Sequence, residues 1–285
     1  MNQKEIKTIT QEEFESFLSI LKSRTGIIPR SSHRDGIKAF IERRIAEKNT
    51  SVPGFRNELL SDERLFTELV NESTVNETYF FREERQFAFL REKIFPAWKA
   101  KFGSMRMKIW SAACSYGEEP YSLALLAKAS GVNVSITASD INSIVLEHCK
   151  NGLFLTSSIR QVDGVVFQDL LAPYKKDERT IQFSGEIKDC IRTQKINLSV
   201  IDSPETQLFL PKNQNIIFLR NVFIYFNQEL RSRILRTIAG NCLAEDGILL
   251  VSMSEIAQLG SEIVPDSLEK LVDGSVFYFH KKETR

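Results

Sequence analysis

The chain has 285 residues, 42% of them hydrophobic and 26% charged, and its 38 basic side chains nearly cancel its 37 acidic ones to leave a net charge of +1. That balance permits a sizeable buried core and excludes a disordered polyelectrolyte or a nucleic-acid-binding domain dominated by basic charge. Four scattered cysteines without a CxxC pair and three dispersed histidines exclude a disulfide framework and a metal-ligand cluster, so no metal and a reducing, cytoplasmic setting are expected.

The first residues, MNQKEIKTITQEEFESFL, are charged and lack a signal-peptide core, and the apolar runs are too short to span a bilayer, so no membrane insertion is expected. Residues 10 to about 75 read as helices. Thr10 and Glu13 form a capping box ahead of the apolar face Phe14, Phe17, Leu18 and Leu21, and Gly26 is a stop signal. GIKAFIERRIAEK repeats the pattern, and SDERLFTELVNEST gives a further helix with Ser61 as its cap. EERQFAFLREKIFPAWKAKF continues as a helix broken near Pro96.

From residue 106 the pattern changes. RMKIWSAA, VNVSITASD, NQNIIFLRN and GILLVSMSE read as buried strands, alternating with helices at YSLALLAKAS, INSIVLEHCKNG and QELRSRILRTIAGNCL. The alternation predicts an α/β fold with a parallel sheet, closed by SVFYFHKK as an antiparallel strand. Residues 156–196 read as a small β-rich insertion.

In an open parallel sheet, ligands bind beyond the carboxyl ends of the strands. After the first strand comes SAACSYGEEPYS, whose small residues let a ligand approach the backbone but do not form GxGxxG. Glu118 and Glu119 there would repel a diphosphate and favour a cation; equally, they complement the positive end of a helix dipole. Asp140, roughly 20 residues on from Gly117, is placed to accept from ribose hydroxyls or to cap the next helix. Together the two strand ends suggest a cationic nucleoside without phosphates, a description that S-adenosylmethionine fits. After NQNIIFL, Arg220-Asn221-Val222-Phe223 stands where nucleobase amino-methyltransferases often carry an Asn/Asp-Pro-Pro-aromatic tetrapeptide, and Tyr225 follows at the cleft or in the core.

TVNETYFFRE, IWSAACSYGEEPYSLAL, ASDIN, KINL and LRNVFIYF occur in an order and spacing that resemble the CheR family, the chemotaxis-receptor glutamate O-methyltransferases. The resemblance covers nearly the whole chain. It implies a class I, Rossmann-like methyltransferase domain (89–285) carrying a small β-subdomain at about 156–196, a linker (73–88) and an all-helical N-terminal domain (1–72). It implies S-adenosylmethionine as cofactor, S-adenosylhomocysteine as product, and contacts to them from Asn76, Thr78, Arg82, Glu119, Asp140, Asn197, Leu198, Arg220 and Asn221. Arg82 and Tyr225 match the residues that the family sets beside the transferring methyl. The implied partner is the cytoplasmic domain of a methyl-accepting chemotaxis receptor, with no nucleic acid; a non-catalytic, cofactor-binding scaffold of the same family is the alternative. On this reading NETYFF is a strap that closes over the cofactor, anchored by Phe80 and Phe81.

Three features depart from the family pattern. Tyr116 replaces a threonine, which would narrow the pocket. Ser252-Met253-Ser254-Glu255 stands for Gly-His-Ser-Glu. LAPYKKDERTIQFSG lacks the glycine-containing insertion of members that dock on a receptor's C-terminal pentapeptide, so a pentapeptide-independent mode is expected. Arg43, Arg44, Lys48 and Arg56 lie near one another in the sequence, as an acidic receptor's docking face or an ordinary solvated one.

Overall fold

A computed structural model describes residues 8–160 and 163–282. The chain opens with α1 (Gln11–Thr25), α2 (Ser31–Lys48), α3 (Val52–Ser61) and α4 (Glu63–Ser73). The capping box forms as read: Thr10 Oγ1 accepts from the Glu13 amide, and the Glu13 carboxylate accepts from the Thr10 amide. Gly26 ends α1 in the left-handed region at φ +68°. Ser61 is not the cap of α4. It ends α3, and Asp62 caps α4 by accepting from the amides of Arg64 and Leu65. A short carboxylate reaches two orphan amides at once and also suits the helix dipole. These helices share a core built on Phe17, Leu21, Ile41, Phe55 and Leu59.

The helix after the strap is not broken at Pro96. α5 (Glu84–Phe89) passes through a π turn, Leu90–Ile94, into α6 (Phe95–Phe102). Proline brings no amide and crowds the carbonyl four residues back. The wider turn, in which the Phe95 amide reaches the Leu90 carbonyl, makes room for it.

The central unit runs β1 (Met107–Ala112), α7 (Glu118–Ala129), β2 (Val134–Asp140), α8 (Ser143–Asn151), β3 (Leu153–Leu155), β4 (Thr180–Gln182), α9 (Glu186–Asp189), β5 (Ile191–Lys195), α10 (Pro204–Gln207), β6 (Gln214–Leu219), α11 (Gln228–Thr237), β7 (Leu243–Val251), β8 (Leu268–Asp273) and β9 (Val276–Lys281). Seven strands form one sheet in the order β5-β2-β1-β6-β7-β9-β8. The first five are parallel, and β9 is antiparallel to both neighbours. Alternate residues feed two apolar layers: Ile109, Ile216 and Phe218 on one face, Trp110, Ile217 and Leu219 on the other. β1 lies between β2 and β6, so the chain order switches at its carboxyl end.

The insertion expected at 156–196 is drawn differently. Its β structure is a two-stranded pair, β3 with β4, that begins at Leu153, and much of the intervening chain is 3-10 turns. β5 leaves it to become the edge of the main sheet beside β2. The alternation in IRTQK suits either a hairpin or a half-exposed edge strand, and periodicity does not name the partner. β8 has no counterpart among the strands that the sequence predicts; its apolar Leu268, Leu271 and Val272 do not alternate with the polar residues, and it is a mostly exposed edge.

Candidate active site

A cleft of about 1000 Å³, counting its open mouth, lies over the carboxyl ends of β1, β2 and β6. The strap of residues 74–82 and the end of α1 form its roof. Asn76, Thr78, Arg82, Glu119, Asp140, Asn197, Leu198, Arg220, Asn221 and Tyr225 all line it.

The turn after β1 departs from ordinary backbone. Ala113 and Ser115 take φ of +58° and +52°, and Gly117 takes +107°. A Cβ on Gly117 would stand 2.6 Å from the Cys149 sulfur and 3.1 Å from its Cα. The turn therefore needs glycine for conformation and for space. The two acids that follow it part company. Glu119 faces the cleft and is already paired: it accepts from Ser111 Oγ at 2.7 Å and from Arg220 Nη1 at 2.9 Å. Glu118 sits behind the strap, accepts from Ser158 Oγ at 2.9 Å, and does not line the cleft. The expectation of two acids inviting a cation is thus corrected to one, half-neutralised by Arg220. Burial pushes both carboxyls up, and Arg220 opposes this for Glu119. Tyr116 does not narrow the cleft either. It turns outward and packs edge-on against His148, with ring centroids 5.1 Å apart.

Asp140 is not the cap of α8. Asn142 is, accepting from the amides of Ile144 and Val145. Asp140 instead bridges two turns: Oδ2 accepts from the Ser115 amide and Oδ1 from the Asn142 amide, both at 2.9 Å. Each oxygen keeps a second lone pair for a hydroxyl. Burial raises its carboxyl above the ordinary aspartate range, while the amide hydrogen bonds pull the other way.

Phe80 and Phe81 anchor the strap as read. Phe80 meets Phe154 edge-on at 5.1 Å, and Phe81 stacks on Phe167 at 4.9 Å. The Phe80 amide donates to the Ser158 carbonyl and the Phe81 amide to Ser122 Oγ. Arg82 donates to the Glu77 carbonyl at 2.8 Å and lies over the Tyr79 ring. Arg220, by contrast, is committed to the protein. Its guanidinium is almost wholly buried, pairs with Glu119, approaches Glu83 at 3.7 Å and donates to the Arg82 carbonyl. It fixes the strap to the end of β6.

Sequence reasoning missed Glu83 and Glu255. Glu83, in the left-handed region, accepts from Ser252 Oγ and the Met253 amide. Glu255 is fully buried and accepts from the amides of Asn221 and Ile224, which sets the turn that presents Tyr225. Thus the stretch that lacks the family's histidine works through its serine, backbone and glutamate. Thr25 and Ile27 of the helical region also line the cleft, and Asn197 spends its amide on the Arg24 carbonyl at 2.9 Å. No sequence signal links these distant segments.

Residues 76–266 match the family described as CheR methyltransferase, SAM binding domain. The chain belongs to the CheR methyltransferase family. The chemotaxis protein methyltransferase of Borreliella burgdorferi is 30% identical over 264 residues, covering 87% of this chain and 89% of that one. Its counterpart in Vibrio anguillarum is 31% identical over 264 residues, covering 87% and 90%. The fold is accordingly that of the class I S-adenosylmethionine-dependent methyltransferases, and the protein is an enzyme of that kind.

The residues of this CheR cleft fit the cofactor. Asp140 has acceptor capacity for a ribose diol, and the buried Ser115 hydroxyl lines the cleft with no partner of its own. Ile141, Ile196 and Leu198 give an apolar wall, and the turn carries a carboxylate where a phosphate site would carry lysine. The expected basic face of α2 and α3 is thinner than its sequence. Arg44 pairs with Glu47 and Glu68, and Lys48 with Glu58. Arg43 and Arg56 remain exposed without an acidic partner among the described residues. No described helix is long and apolar enough to cross a membrane, and no described cluster of His, Cys, Asp and Glu suits a metal ion.

Proposed function

We propose that this CheR methyltransferase esterifies glutamate side chains in the cytoplasmic domain of a methyl-accepting chemotaxis receptor. The products are the glutamate methyl ester and S-adenosylhomocysteine. The observation that carries the reading is the meeting of Arg82 and Tyr225 over a cleft whose floor presents Asp140. Bound S-adenosylmethionine supplies the electrophilic methyl. Asp140 would hold its ribose, with Asn76, Thr78, Leu198 and Asn221 completing the wall.

A glutamate acceptor has a reference pKa of about 4.3 and is ionised at neutral pH, so no general base is needed. The cleft matches this economy, since no histidine lines it among the described residues. Arg82 offers a planar fork that suits a carboxylate. Burial pushes the Tyr225 phenol up, which keeps its proton in place as a donor. What remains is positioning, which contributes roughly 7–11 kcal/mol to well-oriented intramolecular reactions. Docking without a pentapeptide site and action in the cytoplasm belong to the same proposal.

The test is incubation with labelled S-adenosylmethionine and a chemoreceptor's cytoplasmic fragment. Label that transfers and is then released by mild base supports a carboxyl methyl ester. Base-stable label, or none, overturns the reading.

A further inference from the structure

Beside Tyr225, which lines the cleft, stands a guanidinium that the reaction above does not use. Arg30 stands at the start of α2, exposed, and caps nothing with its side chain. No carboxylate lies within ion-pair distance of it among the described residues. Its guanidinium is 5.7 Å from the centroid of the Tyr225 ring. The segment is fixed in that position. The Ile28 amide donates to the Tyr225 carbonyl at 3.4 Å. Gly26 is packed so closely that a Cβ would come within 2.5 Å of Leu230. Arg82, which lines the cleft, is also without an acidic partner among the described residues and rests on Tyr79, 5.6 Å from its ring. Burial raises the Tyr225 phenol, and Arg30 and Arg82 both oppose that rise, so both charges are felt at one hydroxyl.

Two guanidinium groups near one tyrosine, neither with an acidic partner among the described residues, offer places for two carboxylates, because one acceptor carboxylate fills one fork. We infer that Arg30 is a specificity residue that binds a second carboxylate of the acceptor, on a residue close to the glutamate being methylated. The inference rests on the assignment of Arg82 and Tyr225 to that glutamate. The ligand class is an acidic peptide. If the peptide is helical, its two acids stand three or four positions apart, about 5–6 Å between their Cβ atoms.

The experiment uses the full-length enzyme and the cytoplasmic fragment of its chemoreceptor. Each acid neighbouring a methylated glutamate is changed to glutamine in turn. Arg30→Ala raises KM for the fragment about tenfold. kcat stays within about twofold and S-adenosylhomocysteine affinity is unchanged by calorimetry. Arg30→Lys restores part of the loss. One neighbouring Glu→Gln change raises KM for the native enzyme by the same factor and has no further effect on Arg30→Ala. An Arg30→Ala enzyme that methylates the fragment with unaltered KM overturns the inference and leaves the proposed function standing. Weakened S-adenosylhomocysteine binding in Arg30→Ala would assign the guanidinium to the cofactor and also overturn it. A native enzyme that does not methylate the fragment overturns the proposed function, and this inference with it.

Discussion

Asp140 accepts one amide hydrogen on each carboxylate oxygen and still faces the cleft, so its charge state is expected to govern cofactor binding more than the shape of the site. Asp140→Ala is expected to weaken S-adenosylhomocysteine binding at least tenfold by calorimetry, about the worth of one hydrogen bond to a charged group. Arg82→Ala and Tyr225→Phe are expected to lower turnover more than affinity, by roughly a hundredfold for a positioned donor. The pH dependence follows from burial. On the proposed assignment the charged form of Asp140 accepts the ribose hydroxyls, and its carboxyl is raised above 3.8. Affinity for S-adenosylhomocysteine should therefore fall on acidification, starting above the ordinary aspartate range, and Asp140→Asn should flatten the curve. Folding responds with the opposite sign. A carboxyl raised in the folded state stabilises it fully below the ordinary value, and that contribution is lost as pH rises through the raised one. Glu118, Glu119 and Glu255 are raised in the same way. In that acidic window the free enzyme should keep its melting temperature while its affinity drops; parallel loss of both would contradict the assignment. At this scale the sequence offered Asp140 as a helix cap or as an acceptor for ribose hydroxyls. The structure removes the first reading, because the Asn142 side chain takes the cap itself.

Turns rather than helices or strands set the geometry of the site. Glu255 receives two amides of the turn that carries Tyr225, with no solvent to replace it. Glu255→Ala should cost about 2–3 kcal/mol by denaturant titration, since it leaves buried donors unsatisfied. It should also lower turnover, because Tyr225 loses its support. Gly117→Ala should both destabilise the fold and abolish cofactor binding, since the new methyl meets Cys149 backbone that cannot yield. Elements with a local code were readable: the Thr10–Glu13 box, the Gly26 stop and the buried β1 and β6 all stand where the residues predict them. Elements defined by a distant partner were not. β5 and β8 are edge strands whose half-exposed sequences carry no address, and Pro96 stays in a helix because a π turn can absorb it.

Across the whole molecule, asparagine side chains join the helical region to the methyltransferase domain at both ends of the cleft. Asn71 donates to Ser143 Oγ and Asn142 donates to the Asn71 carbonyl at one end; Asn197 donates to the Arg24 carbonyl at the other. Asn71→Ala combined with Asn197→Ala should speed hydrogen exchange in residues 74–79 and weaken S-adenosylhomocysteine binding, although neither change alters the sheet. Unchanged exchange and affinity would show that this contact does not shape the site. The fold class and the lining of the cleft were legible because strand ends gather their loops in one place. The docking was not, because Thr25 and Ile27, which line the cleft, come from a helical region whose sequence shows only its own core.

The buried Arg220 ties the band at residues 82–83 to strand β6 through a carbonyl and a carboxylate. A band bolted in this way is expected to stay down when spent nucleoside leaves. The expected exit is sideways, between Tyr225 and the segment that follows α1, at a rate set by how far that segment swings. Cross-linking it shut should leave a single turnover intact and stall every later one.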